Sequence, residues 1–525
     1  MRRTIEAPGV NILFVARTCA YFRNYDLALR ELAARGHSVH LAVAKGDSFG
    51  GREAVETLVR ECPGITFGEL PDRGGEPWAD FARRLRLGLD YLRYLEPFYD
   101  DAPLRRNRAR ERTPRLLVAL AELGRGRRWQ QRVRRWLHAV DLAVPVSPVL
   151  EEYLRQRQPD AVLITPMVEL GSPQVDLLRA AKRLGIPTAL PVFSWDHLAT
   201  KALLREYPER LFVWNETQRH EAVTVHGVPP DRVVVTGAQC FDHWFGRTPS
   251  RTREAFCAQL GLPADRPIIL YACTGFVMGS PPEPPFIREW LQRVRGSADP
   301  AVAGASVLVR PHPSEMAAWE GFDLGDAGPL AFWGGNPIDR QSRDDYFDSL
   351  YHCAAVVGIN TSAFIEAGIV GRDVLAIVPG RTFHDTQDGS RHFRYLLESG
   401  GGLLQVSRDF DTHLAQLSRA LSRRSTGEHP HRAFLESFVR PAGVERPATP
   451  TFVAAVEQLR GTAVAAGDLP RPGLIARFAR NRLAASAAAP SGRAWWLSAL
   501  EREREARRDA KVRSKGTKAK AGQPV

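Results

Sequence analysis

Val356-Val-Gly-Ile-Asn-Thr-Ser-Ala-Phe-Ile-Glu-Ala-Gly-Ile-Val-Gly-Arg-Asp-Val-Leu-Ala-Ile-Val378 reads as a strand, a tight turn, a short helix and a second buried strand, which is a βαβ unit. Ala354 to Ile359 is too apolar for a surface loop, and the polar run Asn360-Thr361-Ser362 falls where a helix would begin. The free N–H groups of a helix start, reinforced by the macrodipole and two hydroxyls, can seat a phosphate. Glu366 lies one turn further on and faces the same way as Ser362. A carboxylate there can accept hydrogen bonds from ribose hydroxyls while the helix start holds the phosphates. The competing reading is that Thr361 or Ser362 caps the helix and Glu366 is an ordinary first-turn acid. A capping box sets its acid three residues after the cap, whereas Glu366 comes four after Ser362, and this leans toward nucleotide binding.

Two further strands point the same way. Ser306-Val-Leu-Val-Arg310 ends in Pro311-His312-Pro313, and the prolines stop the strand and stiffen the turn. Arg310 and His312 are thereby presented at a strand's carboxyl end, where open α/β sheets bind ligands. Pro267-Ile-Ile-Leu-Tyr-Ala-Cys273 delivers Thr274-Gly275 to the same edge.

Arg310-Pro-His312-Pro, then Asp348-Ser-Leu, then Asn360-Thr-Ser-Ala-Phe-Ile-Glu366-Ala-Gly resembles the donor-binding half of a GT-B glycosyltransferase. The likeness is greatest to the branch with the CDP-glycerol glycerophosphotransferases and the bacterial surface-polysaccharide transferases, and it covers about residues 10–460. Those glycerophosphotransferases carry Asp-Tyr-Ser-Ser where this chain has Asn360-Thr-Ser-Ala, a departure at the donor site. The resemblance implies an α/β protein of two doubly wound Rossmann-like domains facing across a cleft. It further implies transfer of a sugar from a nucleotide-sugar donor to a cell-surface glycan or lipid-linked acceptor. Asp385-Thr-Gln387 falls where related transferases place an Asp/Gln pair on the donor sugar, a surface loop being the alternative.

A chain of 525 residues that is 44% hydrophobic can form two cored domains and an appendage. No apolar run approaches the ~20 residues of a membrane span, and the start lacks a signal-peptide core, so a cytoplasmic protein is expected. The six cysteines show no metal spacing or disulfide framework. Of the net charge of +13, residues 83–136 hold an excess of ten positive charges and residues 463–525 an excess of nine, leaving the remainder at −6. Neither basic block carries a nucleic-acid recognition motif, so no nucleic-acid partner is expected. Anionic lipid, an anionic glycan or a lipid-phosphate acceptor fit such charge. The tail intersperses apolar and Arg positions from Gly473 to Leu483, which suggests peripheral contact with the inner face of the cell membrane.

In chain order, Val10–Val15, a helix from Tyr25 to Arg35 ended by Gly36, and Val39–Val43 open a first domain over 8–245. Their connecting loop, Ala16 to Asn24, lacks GxGxxG and is expected to face an acceptor. An Arg-rich helical insertion occupies about 80–136, broken near Pro97 and Pro114. The second domain covers 262–462, including a helix near Thr451–Leu459 expected to pack back on the first, and 463–525 is a basic, partly disordered tail.

Breaking a bond to a nucleoside diphosphate requires positive charge and N–H donors on the leaving group, which Arg310, His312 and the Thr361–Ser362 turn can supply without a metal or other cofactor. His312 also reads as a turn histidine. Asp409-Phe-Asp411 is the one DxD that could hold a metal on the diphosphate, and helix capping is its simpler role. On the acceptor side, Asp196, Glu169 and His197 each follow an apolar strand and qualify as general base. Asp196 is equally readable as the cap of a helix over Leu198–Arg205, and Trp195 as core or a sugar platform. A CDP-glycerol-type glycerophosphotransferase, a sugar-nucleotide 2-epimerase and a non-catalytic basic scaffold are the competing functions.

Overall fold

The computed structural model describes residues 9–44, 51–73, 76–100, 102–124, 126–275, 281–325, 328–378, 391–423 and 429–464, with isolated positions 380, 473, 474 and 478. Asp385, Gln387 and nearly all of the basic tail lie outside the described residues.

Two all-parallel sheets organise the chain. The first has strands β1 (Asn11–Ala16), β2 (Ser38–Val43), β3 (Ile65–Glu69), β4 (Ala161–Thr165), β5 (Thr188–Pro191), β6 (Arg210–Val213) and β7 (Val233–Val235), in the order β3-β2-β1-β4-β5-β6-β7. The second has β8 (Ile268–Ala272), β9 (Ser306–Arg310), β10 (Leu330–Phe332), β11 (Ala355–Gly358), β12 (Asp373–Ile377) and β13 (Gln405–Ser407), in the order β10-β9-β8-β11-β12-β13. Parallel neighbours need crossovers, and the crossover helices cover the sheet faces, so central strands become continuous apolar runs. Every residue of β4, β8 and β11 is accordingly buried. Strand order reverses between β1 and β4 and between β8 and β11, and each reversal opens a crevice beyond the strands' carboxyl ends. The fold is therefore α/β, with two doubly wound Rossmann-like domains.

Between β3 and β4 the chain forms helices Pro77–Tyr94, Pro103–Arg112, Arg115–Glu122 and Arg127–Leu142 around a core that includes Leu89, Tyr91, Tyr94 and Leu137. Part of the arginine content of this insertion is internal. Arg86 bonds Asp141 at 3.0 Å and Asp176 at 2.6 Å, Arg179 bonds Asp141 at 2.9 Å, and Arg205 pairs with Asp90, all of them buried. Such buried ion pairs add little net stability but fix geometry, because a lone survivor would be an uncompensated charge.

Beyond the second sheet the chain returns to the first. Helix Ala448–Glu457 sets Phe452 against Tyr25 and Phe212, with ring centroids 5.8 and 5.6 Å away, and Glu457 reaches His37 at 2.9 Å. Asp242 staples the return by accepting from the N–H groups of Ala448 and Thr449 and pairing with Arg440. Gly237, at φ +84°, makes room for it, since a Cβ there would lie 2.6 Å from the Ala448 Cβ.

The segment after Asp196 departs from expectation: its helix covers only His197–Thr200, not Leu198–Arg205. Tertiary acceptors take the donors a longer helix would use, with Ala202 N–H on Val168 O, Leu203 N–H on Asp90 and Leu204 N–H on His226 Nδ1. Among the described residues no helix is long and apolar enough to cross a membrane.

Candidate active site

The crevice between β8 and β11 is built by short polar turns. Thr274 bridges the two strands: its Oγ1 accepts from Asn360 N–H at 3.3 Å and its own N–H donates to Glu283 at 2.7 Å. Burial pushes Glu283 up to about 8. Thr361 Oγ1 accepts from Ala363 N–H at 3.3 Å, so this threonine caps the helix Ala363–Ile369. Ser362 makes no capping bond and is exposed.

Glu366 does not stand open to solvent as an ordinary first-turn acid. The Tyr346 hydroxyl donates to it, and Arg310 lies with its guanidinium 4.7 Å from the centre of the Tyr346 ring. Burial raises the Glu366 carboxyl to about 7, against the pull of Tyr346, Arg23 and Arg310. Arg310 is held by Gly335 O at 3.0 Å and Ser349 Oγ at 3.4 Å, and Gly334 leaves it space, since a Cβ there would lie 2.4 Å from Nη1. Asp348, beside Ser349, holds the interdomain link by accepting from the Ser250 N–H and hydroxyl.

His312 packs over Gly275, where a Cβ would meet the ring at 3.1 Å. Its Nδ1 accepts from Ser314 N–H at 3.2 Å. A backbone N–H can only donate, so the ring proton belongs on Nε2. Burial, and then Arg23, lower the His312 pKa, and the ring is a neutral Nε2–H donor at neutral pH.

The opposite wall comes from the first domain. The 3-10 segment Cys19–Tyr25 follows β1 and presents two side chains in different directions. Arg23, exposed, acts electrostatically on Glu366, His312 and Tyr346 of the second domain. Burial carries the Tyr21 pKa up to about 12, with the Glu169 and Asp196 carboxylates adding to the rise and Arg17 opposing it. This one segment therefore acts electrostatically on both halves of the site.

The three general-base candidates separate on their partners. His197 is committed at both ring nitrogens, with Nδ1 accepting from Phe193 N–H at 3.2 Å and Nε2 on Pro166 O at 2.7 Å. Burial lowers it to about 4, and it serves as a tie between loops. Asp196 is surrounded by Ser194 Oγ, Thr200 Oγ1 at 2.9 Å and Lys201 Nζ at 2.9 Å. Burial would raise its pKa, but Lys201 and the other donors outweigh that and hold the carboxyl well below the ordinary range. It makes no backbone capping bond. Glu169 pairs with Arg17, whose side chain is 42% exposed. Its loop is fixed by Gln174, which accepts from Met167 N–H at 2.8 Å and donates to Thr165 O at 2.7 Å, and by Asp90, which accepts from Gly171 N–H at 2.8 Å. Trp195 is buried, edge-on to His392 at 4.8 Å. Asp409 caps helix Phe410–Ser422 by accepting from Thr412 N–H at 2.7 Å. Among the described residues no cluster of His, Cys, Asp and Glu has the form of a metal site.

Arg23, Tyr346, Tyr21 and Lys201 are the site residues that reading the sequence did not single out. Arg23 had a usable signal, because it follows the first strand on the side where doubly wound sheets bind ligands.

The chain matches no family model and no curated protein. Solved structures of similar fold include a glycosyltransferase from Rickettsia africae ESF-5, at 11% identity over 87% of this chain and 100% of that one, with a TM-score of 0.49. A UDP-GlcNAc 2-epimerase from Methanocaldococcus jannaschii shares 10% identity over 85% and 99% of the two chains, with a TM-score of 0.47. An Anabaena protein solved with UDP and glucose shares 12% over 86% and 100%, with a TM-score of 0.45.

Proposed function

We propose that the protein is a glycosyltransferase that moves a sugar from a nucleotide-sugar donor to a hydroxyl of a glycan or lipid-linked acceptor. The feature that carries this reading is the electrostatic reach of Arg23, from the first domain, to His312 and Glu366 of the second, which stand with Arg310 at the β8/β11 switch point. Two guanidinium groups and a neutral Nε2–H donor facing one crevice suit a diphosphate. A buried carboxyl that titrates near neutrality suits the ribose hydroxyls. In this reaction the acceptor hydroxyl gives its proton to Glu169 as its oxygen bonds the anomeric carbon. The bond from that carbon to the diphosphate oxygen breaks, and the charge left on the diphosphate is taken by Arg23, Arg310, His312 and the Ser362 hydroxyl. Glu169 is preferred as base over Asp196 because a carboxylate held far below its ordinary pKa has little affinity for a proton. The guanidinium groups do the work a divalent cation does elsewhere, so turnover is expected to survive EDTA.

The test is incubation with UDP-, CDP-, GDP- and dTDP-sugars and CDP-glycerol, following the nucleotide product and the sugar's configuration. Release of a nucleoside diphosphate that depends on an acceptor supports the transferase. A 2-epimer formed without an acceptor would make the protein an epimerase, and CMP release from CDP-glycerol a glycerophosphotransferase.

A further inference from the structure

Helices Arg115–Glu122 and Arg127–Leu142 lie side by side on helix Pro77–Tyr94: a Cβ added at Gly88 would meet Leu117 Cδ1 at 2.9 Å and Leu137 Cδ1 at 3.3 Å. The longer of the two also leans on the shorter, with Trp129 Nε1 donating to Leu120 O at 2.8 Å. At ~100° per residue, Arg128, Arg132 and Arg135 fall on the side of their helix opposite Leu137 and away from Gly88. All three are exposed, and among the described residues none of them makes an ion pair. From Arg127 to Val140 the chain has no acid at all, whereas on the neighbouring helix Arg106 and Arg110 are neutralised by Asp100 and Glu122. Apolar side chains are left in water on the same pair of helices. Leu116 and Leu123, seven residues apart on one face, are 78% and 76% exposed. Trp136 comes seven residues after Trp129, hence on the side that leans on the shorter helix, and is 53% exposed.

We propose that this surface docks the protein on an anionic lipid bilayer, with Leu116, Leu123 and Trp136 entering the interfacial layer and Arg128, Arg132 and Arg135 lying on lipid phosphates. Charge and apolarity together select this partner. Guanidinium groups without carboxylate partners seek anions, and their long stems cover apolar surface while the heads stay at the phosphates. Large exposed leucines are of no use to a nucleic-acid face, while leucine and tryptophan beside a cationic row are what an interfacial helix buries. The helix beneath gives docking a consequence for the crevice. Tyr94 donates to Lys201 O at 2.9 Å, and Asp90 accepts from Gly171 N–H at 2.8 Å, so the support of the docking pair is tied to the loops carrying both Asp196 and Glu169. The proposal stands on this surface and does not depend on the reaction assigned above.

The experiment is co-sedimentation of the full chain with vesicles of phosphatidylcholine alone and of phosphatidylcholine mixed with phosphatidylglycerol. Wild type is compared with Leu116→Glu/Leu123→Glu, with Arg128→Glu/Arg132→Glu/Arg135→Glu and with Arg128→Lys/Arg132→Lys/Arg135→Lys. All five positions are exposed, so melting temperatures should match that of wild type. Wild type is expected to prefer the anionic vesicles, and the leucine and charge-reversal variants to bind them about tenfold or more weakly, with the lysine variant close to wild type. Wild-type vesicle binding by the leucine variant overturns the proposal, because general basicity, the tail included, would then account for retention. Charge reversal that abolishes binding of a short RNA while leaving vesicle binding intact overturns it too. So does a wild-type dimer that Leu116→Glu/Leu123→Glu dissociates, since a second copy would then be what covers the leucines.

Discussion

Tyr346 donates its phenol proton to the Glu366 carboxylate, and the aromatic ring that carries that phenol is the one Arg310 rests against. Glu366 therefore titrates at about 7 in a setting shaped by both domains, since Arg23 acts on it from across the crevice. Ribose hydroxyls donate to the ionised form, so the cognate nucleotide should bind about tenfold more tightly at pH 8 than at pH 6. Glu366→Gln should remove that slope, judged by calorimetric titration at each pH. The same upward shift makes the folded state hold its proton longer than the unfolded chain, and this contribution to stability is present at low pH and lost as pH rises toward 7.

Glu169→Gln should lower turnover ~100-fold or more with nucleotide affinity unchanged, as expected for removal of a general base. Asp196→Asn should stay within about tenfold of wild type, because the amide oxygen still accepts from one of the two hydroxyls, the amide N–H can donate to the other, and the displaced Lys201 is 38% exposed. Steady-state kinetics on both variants decides between them. The opposite ranking would return the base role to Asp196.

Asp90 is fully buried, pairs with Arg205 and accepts from the N–H groups of Gly171 and Leu203, so it ties the Glu169 loop to the segment beyond Asp196. Asp90→Ala strands a buried guanidinium and should cost about 3–5 kcal/mol in denaturant unfolding. An exposed control such as Glu152→Ala should cost less than about 0.5 kcal/mol.

His40, His197, His226, His243, His392 and His413 are all held below the ordinary histidine value, with burial as the leading cause. A depressed histidine pKa means the unfolded chain takes up the proton first. Stability from these groups is complete above about 6.5 and drains away as pH falls from there toward 4. Urea midpoints should drop steeply between pH 7 and pH 5, with net uptake of several protons on unfolding.

The fold class was legible because buried parallel strands are unbroken apolar runs, as in Pro267–Ala272 and Ala354–Ile359. β3 and β10 were not read. Ile65-Thr-Phe-Gly-Glu buries only Ile65 and Leu330-Ala-Phe buries only Ala331, so these edge strands lack the signal that burial on two faces imposes. At the site, Arg310 and His312 could be picked out because they lie at and just beyond a strand's carboxyl end, and Glu366 because it shares a face with the helix start after β11. Tyr346 could not, because it lies within helix Arg340–His352 and meets Glu366, 20 residues away, only through tertiary packing. The restraint on Asp196 was equally hidden, since Lys201 reaches it only because the helix stops at Thr200.

A nucleotide held by both domains should depend on Arg23, an exposed first-domain side chain with no evident role in folding. Whichever of UDP, CDP, GDP and dTDP raises the wild-type melting temperature most should be titrated into Arg23→Ala by calorimetry, with Ser362→Ala and Glu366→Ala alongside. Losing a charge-assisted contact to phosphate costs ~1.5–3 kcal/mol, so the account predicts an affinity at least tenfold weaker in Arg23→Ala with unfolding unchanged. Wild-type affinity in Arg23→Ala would contradict it.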